Sequence, residues 1–268
     1  MNSIKYFIPV DFSEASFKAI QYASMLADKT GGIIHLGHVI DADEIVESDN
    51  PVIVQWNLDR LEKMASDKMQ SLKELISSNG IAVTSEITFG RLQSVVLKMI
   101  SRLTPDVIVL PRRVSNGSKP ELLTHLSKHC KQPLLVVPEA FVPQVPERAV
   151  VATDLRPANG ELDTLFQLIG KSANEISLLN IRSSVAPKEV VKAQWISTLE
   201  EKYRLDTKLL QQENDNVVLG VINFVNSNPV DLVCTIRRNK NFLARALGES
   251  VSDEIARQAE VPVLVISE

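Results

Sequence analysis

The sequence predicts an α/β protein made of two tandem, doubly wound, five-stranded parallel-sheet domains of Rossmann-like type. Three observations predict it. Short apolar runs bounded by turn residues alternate with amphipathic helical patterns along the whole chain. The stretch Tyr6-Phe7-Ile8-Pro9-Val10-Asp11, an apolar strand that stops at an acid, has a counterpart in Ala149-Val150-Val151-Ala152-Thr153-Asp154. Two further landmarks, Pro105–Arg113 and Gln132–Val137, recur in the same order as Val230–Arg238 and Val261–Ile266. Strands alternating with helices imply a parallel sheet covered on both faces, and the ordered repeat implies duplication.

In the first half, residues 6–10 form a strand. Ser13 caps a helix whose inner face is Ala15, Ala19, Ala23, Leu26 and Ala27, and Gly31-Gly32 ends it. Ile33–Val39 is the second strand. The acidic stretch 41–55, with Pro51 inside it, reads as a loop. Asn57–Ser78 is a long amphipathic helix with Leu58, Leu61, Ala65, Leu72, Leu75 and Ile76 on one face. A strand over 82–89 and a helix over 91–103 follow, and Pro105 stops that helix. Residues 106–110 form a continuous apolar strand of the kind buried on both faces. A helix near 122–130 and a strand over 134–137 complete the half. Pro138, Pro143 and Pro146 mark a stiff linker over about 138–147, dividing domains at 1–140 and 147–268. The second half has strands near 149–153, 175–181, 207–213, 231–235 and 263–266, and helices near 158–172, 188–203, 217–227 and 249–259.

Apolar content of 44% and charged content of 23% are globular values. The net charge of −4 gives no general basic field for nucleic acid. No apolar run approaches the roughly 20 residues a membrane helix needs. The first strand begins too early for a signal peptide. The two cysteines, Cys130 and Cys234, read as reduced core thiols, and the expected setting is cytoplasmic.

The opening Ile-Pro-Val-Asp-Phe-Ser-Glu-Ala-Ser (Ile8–Ser16), the His38-Val39 strand end and the terminal Pro-(Leu/Val)-Leu-Val of each half resemble the universal stress protein family, in a tandem form spanning nearly the whole chain. The resemblance implies a crevice at the carboxyl ends of the strands, the usual ligand position of open α/β sheets. In some members that crevice binds ATP. It implies that Asp11, with Pro9, Val10 and Phe12 around it, contacts the nucleotide, that Val39 lines an adenine pocket, and that a glycine-rich loop after the fourth strand holds phosphates. That loop is rewritten here. After Leu110 come Pro111, Arg112, Arg113, Val114, Ser115, Asn116, Gly117 and Ser118. In the second half, where Asp154 is the matching acid, Arg237, Arg238, Lys240 and Arg245 precede Gly248 and Ser250. Arginine side chains can clamp an anion where backbone N–H groups cannot. They can equally be solvated charges or partners for acids across an interface. An acid beside a helix start can also serve only as a cap.

The resemblance further implies that strands 134–137 and 263–266 are sheet edges. They are expected to run antiparallel and join the halves as an internal pseudo-dimer, with a homodimer as an open extension. His125 and His129 share a helix face but lack a third ligand, so no metal is expected. No nucleophile elbow, P-loop or acid–base motif occurs. Trp56 and Trp195 read as packing residues. The expected function is a non-enzymatic stress-response protein binding a nucleotide or another anion in the first crevice. The alternatives are an ATP-binding, weakly hydrolysing protein using Asp11, Val39 and loop 111–120, and an interaction module presenting residues 41–49 and 57–78.

Overall fold

A computed structural model describes residues 3–41, 50–113, 121–156, 160, 162–169, 175–182, 194–203, 207–238 and 250–268. The first half contains β1 (Lys5–Pro9), α1 (Glu14–Thr30), β2 (Ile33–Ile40), α2 (Pro51–Ser78), β3 (Ala82–Phe89), α3 (Leu92–Leu103), β4 (Val107–Arg112), α4 (Glu121–His129) and β5 (Leu134–Pro138). The second contains β6 (Arg148–Ala152), α5 (Asp163–Ile169), β7 (Glu175–Arg182), α6 (Gln194–Tyr203), β8 (Thr207–Glu213), α7 (Val217–Ser227), β9 (Leu232–Arg237), α8 (Val251–Gln258) and β10 (Val263–Ser267).

The strands form one ten-stranded sheet in the order β3-β2-β1-β4-β5-β10-β9-β6-β7-β8. Each half is parallel within itself. At the join, β5 and β10 run antiparallel, with Leu135 opposite Leu264 and Val136 opposite Val263. Because side chains alternate across a strand, each buried strand feeds two cores. Tyr6, Ile8, Val107 and Val109 face the side covered by α1, α2, α5 and α6, whereas Phe7, Ile108 and Leu110 face α3, α4, α7 and α8. Both cores contain residues from both halves.

Local chemistry explains the element ends. Ser13 Oγ accepts from the Ser16 N–H at 3.1 Å at the start of α1, and Gly31, at φ 63°, closes it in the left-handed region. The expected loop over 41–55 is corrected at its end. Pro51 starts α2, because its fixed φ suits the first helical position and its missing N–H needs no partner there. Asn50 caps this helix through Val52 N–H. Residues 42–49 lie outside the described residues. On α2, Ala65, Met69 and Ile76 are buried, but Leu75 is exposed and Trp56 is 64% exposed with Arg60 over its ring. Trp56 is therefore not a packing residue; the side chain of Trp195 lies outside the described residues. Among the described residues, no helix is long and apolar enough to cross a membrane.

The linker is pinned rather than free. Phe141 is buried and meets Tyr22 edge-on at 5.7 Å. Gln144 Nε2 donates to the buried Asp231, which also accepts from Glu147 N–H, Arg148 N–H and the Arg148 guanidinium. The first half has a simpler version of this lock, in which Lys5 N–H donates to Asp106.

Candidate functional site

In the first repeat, β1 delivers Pro9, Val10 and Asp11 to the carboxyl edge of the sheet. Val10 N–H donates to Gly37 O at 2.8 Å. Gly37 is required there: a Cβ would stand 2.7 Å from the Phe7 ring. Asp11 accepts from Ser13 N–H at 3.0 Å, from the Ser13 and Ser16 hydroxyls and from the Arg113 guanidinium. Burial pushes its carboxyl up, but these donors outweigh it and hold Asp11 below the usual carboxylate range. Phe12, at φ 59°, lays its ring against His38 at 4.4 Å, and Lys68 Nζ sits over it at 5.3 Å. His38 donates Nδ1–H to Val10 O at 2.7 Å. Val39 is partly buried against the core on the α3 side. The structure thus brings Asp11 and Arg113 together, as partners of one another. Gly117 and Ser118 lie outside the described residues.

Arg112 points elsewhere. It lies on β4, which extends past the expected strand end, and its guanidinium donates to the carbonyls of Arg257 and Ala259 at the end of α8. Its counterpart Arg237 donates to Cys130 O beyond the end of α4, and to Ser267 Oγ at 2.6 Å. Each repeat therefore sends one arginine to the carbonyl-rich end of the other repeat's last helix, where a cation is favoured.

The second repeat reproduces the crevice with different contents. Thr153 N–H donates to Leu179 O, and Asn180 Nδ2 donates to Thr153 O at 2.9 Å in the manner of His38. Leu155, at φ 64°, repeats the backbone of Phe12. Asp154 is held by Arg156 and Arg238, which keep it below the usual range against the opposing effect of burial. Beside it opens a cavity of about 810 Å³, lined by four arginines and one aspartate. Its apolar wall includes Ile181, Val217, Val221 and Ile255. Gly220 lets α7 approach that wall closely, since a Cβ there would stand 2.7 Å from Ile181.

The arginines of this cavity differ in commitment. Arg156 and Arg238 are on Asp154, Arg238 also reaches Glu268, and Arg237 bridges the repeats. Arg182 is different: its buried Nε and Nη1 find no hydrogen-bond partner among the described residues, and Glu213 stands 3.9 Å from Nη2. Thr235, 2% exposed on β9, also has an unpartnered Oγ1. Ser250 lines the same cavity as N-cap of α8 without a side-chain capping bond. Gly248 lies outside the described residues. Asp154, Arg237, Arg238 and Ser250, all legible in the sequence, line this cavity, whereas Arg182, Thr235 and the α7 wall carry no motif of their own. Aligning the repeats at His38 and Asn180 would have placed Arg182 at the carboxyl end of its strand.

The His125 and His129 rings lie 4.3 Å apart, tilted by 30°, with His129 Nδ1–H donating to His125 O. No group of three metal-ligating side chains occurs among the described residues. Cys130 and Cys234 are free and buried, and burial pushes both thiols up.

The model of the universal stress protein family matches residues 6–138 and again 147–267. No curated protein matches the chain in sequence. Among solved structures, a universal stress protein from Archaeoglobus fulgidus DSM 4304 is similar over 100% of this chain and 99% of its own, with TM-score 0.79 and 16% identity. A functionally unknown protein from Pseudomonas aeruginosa PAO1 is similar over 98% of this chain and 92% of its own, with TM-score 0.65 and 12% identity. The cytoplasmic domain of a prokaryotic cation chloride cotransporter covers 98% of this chain and 95% of its own, with TM-score 0.55 and 11% identity. These likenesses are of fold.

Proposed function

The chain belongs to the universal stress protein family, as two tandem domains, and from that premise we propose that it is a non-enzymatic stress-response protein that binds an anion in the strand-end crevice of its second repeat. The observation that carries this reading is the contrast between the crevices. In the first, Asp11 and Arg113 satisfy each other and Arg112 holds the other repeat. In the second, a cavity of about 810 Å³ contains Arg182 donors and a Thr235 hydroxyl with no partner among the described residues. Buried polar groups in native proteins are normally satisfied, so such groups lining a cavity mark a ligand position. The buried, free thiols of Cys130 and Cys234 fit a reducing compartment such as the cytoplasm.

Isothermal titration of the full chain with ATP, ADP, AMP, cyclic dinucleotides and inorganic phosphate tests the reading. Any anion that binds should lose affinity in Arg182→Met and keep it in Asp11→Ala. The reverse pattern would return the site to Asp11, Val39 and loop 111–120.

A further inference from the structure

We propose that the second-repeat crevice takes an amphipathic anion, a single carboxylate or phosphate headgroup on an apolar body, rather than a polyanionic nucleotide. This rests on the reading of that crevice as the binding site and specifies its ligand class. The donor inventory sets the headgroup. Arg182 offers Nε and Nη1 donors with no hydrogen-bond partner among the described residues, Glu213 standing 3.9 Å from its Nη2, while the other arginines lining the cavity hold closer protein acceptors. One such guanidinium and one hydroxyl match one headgroup. A triphosphate needs a phosphate cradle, and the Asp154 carboxylate beside Arg156 and Arg238 offsets their charge and disfavours a polyanion there.

The walls set the body. Ile181, Val217, Val221 and Ile255 line the same cavity as the donors. Thr235 lies on the sheet face shared with Leu179 and Val233, beneath α7 and α8, so its hydroxyl lies on the apolar side of the crevice. A volume of about 810 Å³ accommodates a chain or ring system as well as the headgroup, within the range of small-molecule sites. Thr235 Oγ1, in a residue 2% exposed and without a hydrogen-bond partner among the described residues, is an independent sign that a polar ligand atom belongs there.

The test is isothermal titration of the full chain with octyl phosphate, decanoate, 1-octanol, inorganic phosphate and ATP. Octyl phosphate or decanoate should bind more tightly than inorganic phosphate and ATP, and their relative affinities identify the headgroup. Arg182→Met should weaken the better amphiphile about tenfold to a hundredfold, the scale of a lost charge-assisted hydrogen bond. Thr235→Val should weaken it roughly two- to tenfold. Binding of 1-octanol, if measurable, should be unaffected by Arg182→Met. The ligand-free melting temperature of Arg182→Met should stay close to that of the parent, because the ion pair it removes, to Glu213 at 3.9 Å, is long and half-exposed on the glutamate side. Tighter, Arg182-dependent binding of ATP would overturn the ligand class while leaving the crevice as the site. Failure of every anion to bind in an Arg182-dependent way would overturn the crevice reading itself, and this proposal with it.

Discussion

Asp11 and Asp154 occupy the same place in the two repeats and are neutralised differently. Asp11 organises the start of α1 through Ser13 and Ser16 and takes Arg113 as counter-ion; Asp154 takes Arg156 and Arg238. Both carboxyls sit below their usual range. A carboxylate with a lowered folded-state pKa adds stability that is present above its unfolded pKa and is lost as pH falls through the folded one. Asp11→Asn should therefore lower the chemical-denaturation midpoint at pH 7, by about 1 kcal/mol of stability. That deficit should shrink toward zero as pH falls below about 4. A deficit unchanged across this range would mean that the carboxylate's charge plays no part. Its position was legible because an acid ending an apolar strand is a local pattern. Its Arg113 partner, separated from it in sequence by β2, β3 and β4, was not.

At the scale of the elements, strand length decides where the first arginine of each loop goes. Sequence places Arg112 and Arg237 after the fourth strand of each repeat, in the position of a phosphate loop. The structure extends β4 and β9 far enough to carry both arginines to the opposite repeat. Whether a basic side chain meets a ligand or a helix end depends on the partner element's approach, which no local pattern encodes. Pro51 was misread for a related reason: proline interrupts helices in their interior and begins them at the first turn, and only the cap at Asn50 distinguishes the two. Arg112→Ala should destabilise the protein by about 2–3 kcal/mol in urea titration, since it removes two charge-assisted hydrogen bonds at the end of α8. A loss below about 0.5 kcal/mol would show that solvent replaces those bonds without cost. Gly220→Ala should cost about 1–3 kcal/mol by overpacking Ile181, and it should also narrow the crevice.

Across the whole molecule, the repeat, the alternation of strands and helices within each half and the two-sided burial of the strands were legible from periodicity and duplication, whereas the spatial order of the strands was not. The cores are what make the halves one body: each draws on both repeats, and Leu135 and Leu264 meet across the join. The chain should therefore unfold in one cooperative step. Trp56 lies in the first repeat and Trp195 in the second, so Trp56→Phe leaves fluorescence reporting the second alone. Its transition should coincide with that of the far-ultraviolet circular dichroism. Leu135→Ala, in the first repeat, should shift that second-repeat signal with it, by about 2–5 kcal/mol. Within this shared frame the repeats differ at the crevice: Asp11 and Arg113 pair in the first, whereas in the second Arg182 and Thr235 present donors with no hydrogen-bond partner among the described residues beside a cavity. The most direct test is a backbone-resolved NMR titration of the intact chain with octyl phosphate. Shifts should concentrate at Ile181, Arg182, Thr235 and Val251, with Asp11, Val39 and Arg113 unmoved. Shifts concentrated at Asp11, Val39 and Arg113 would contradict a site in the second-repeat crevice.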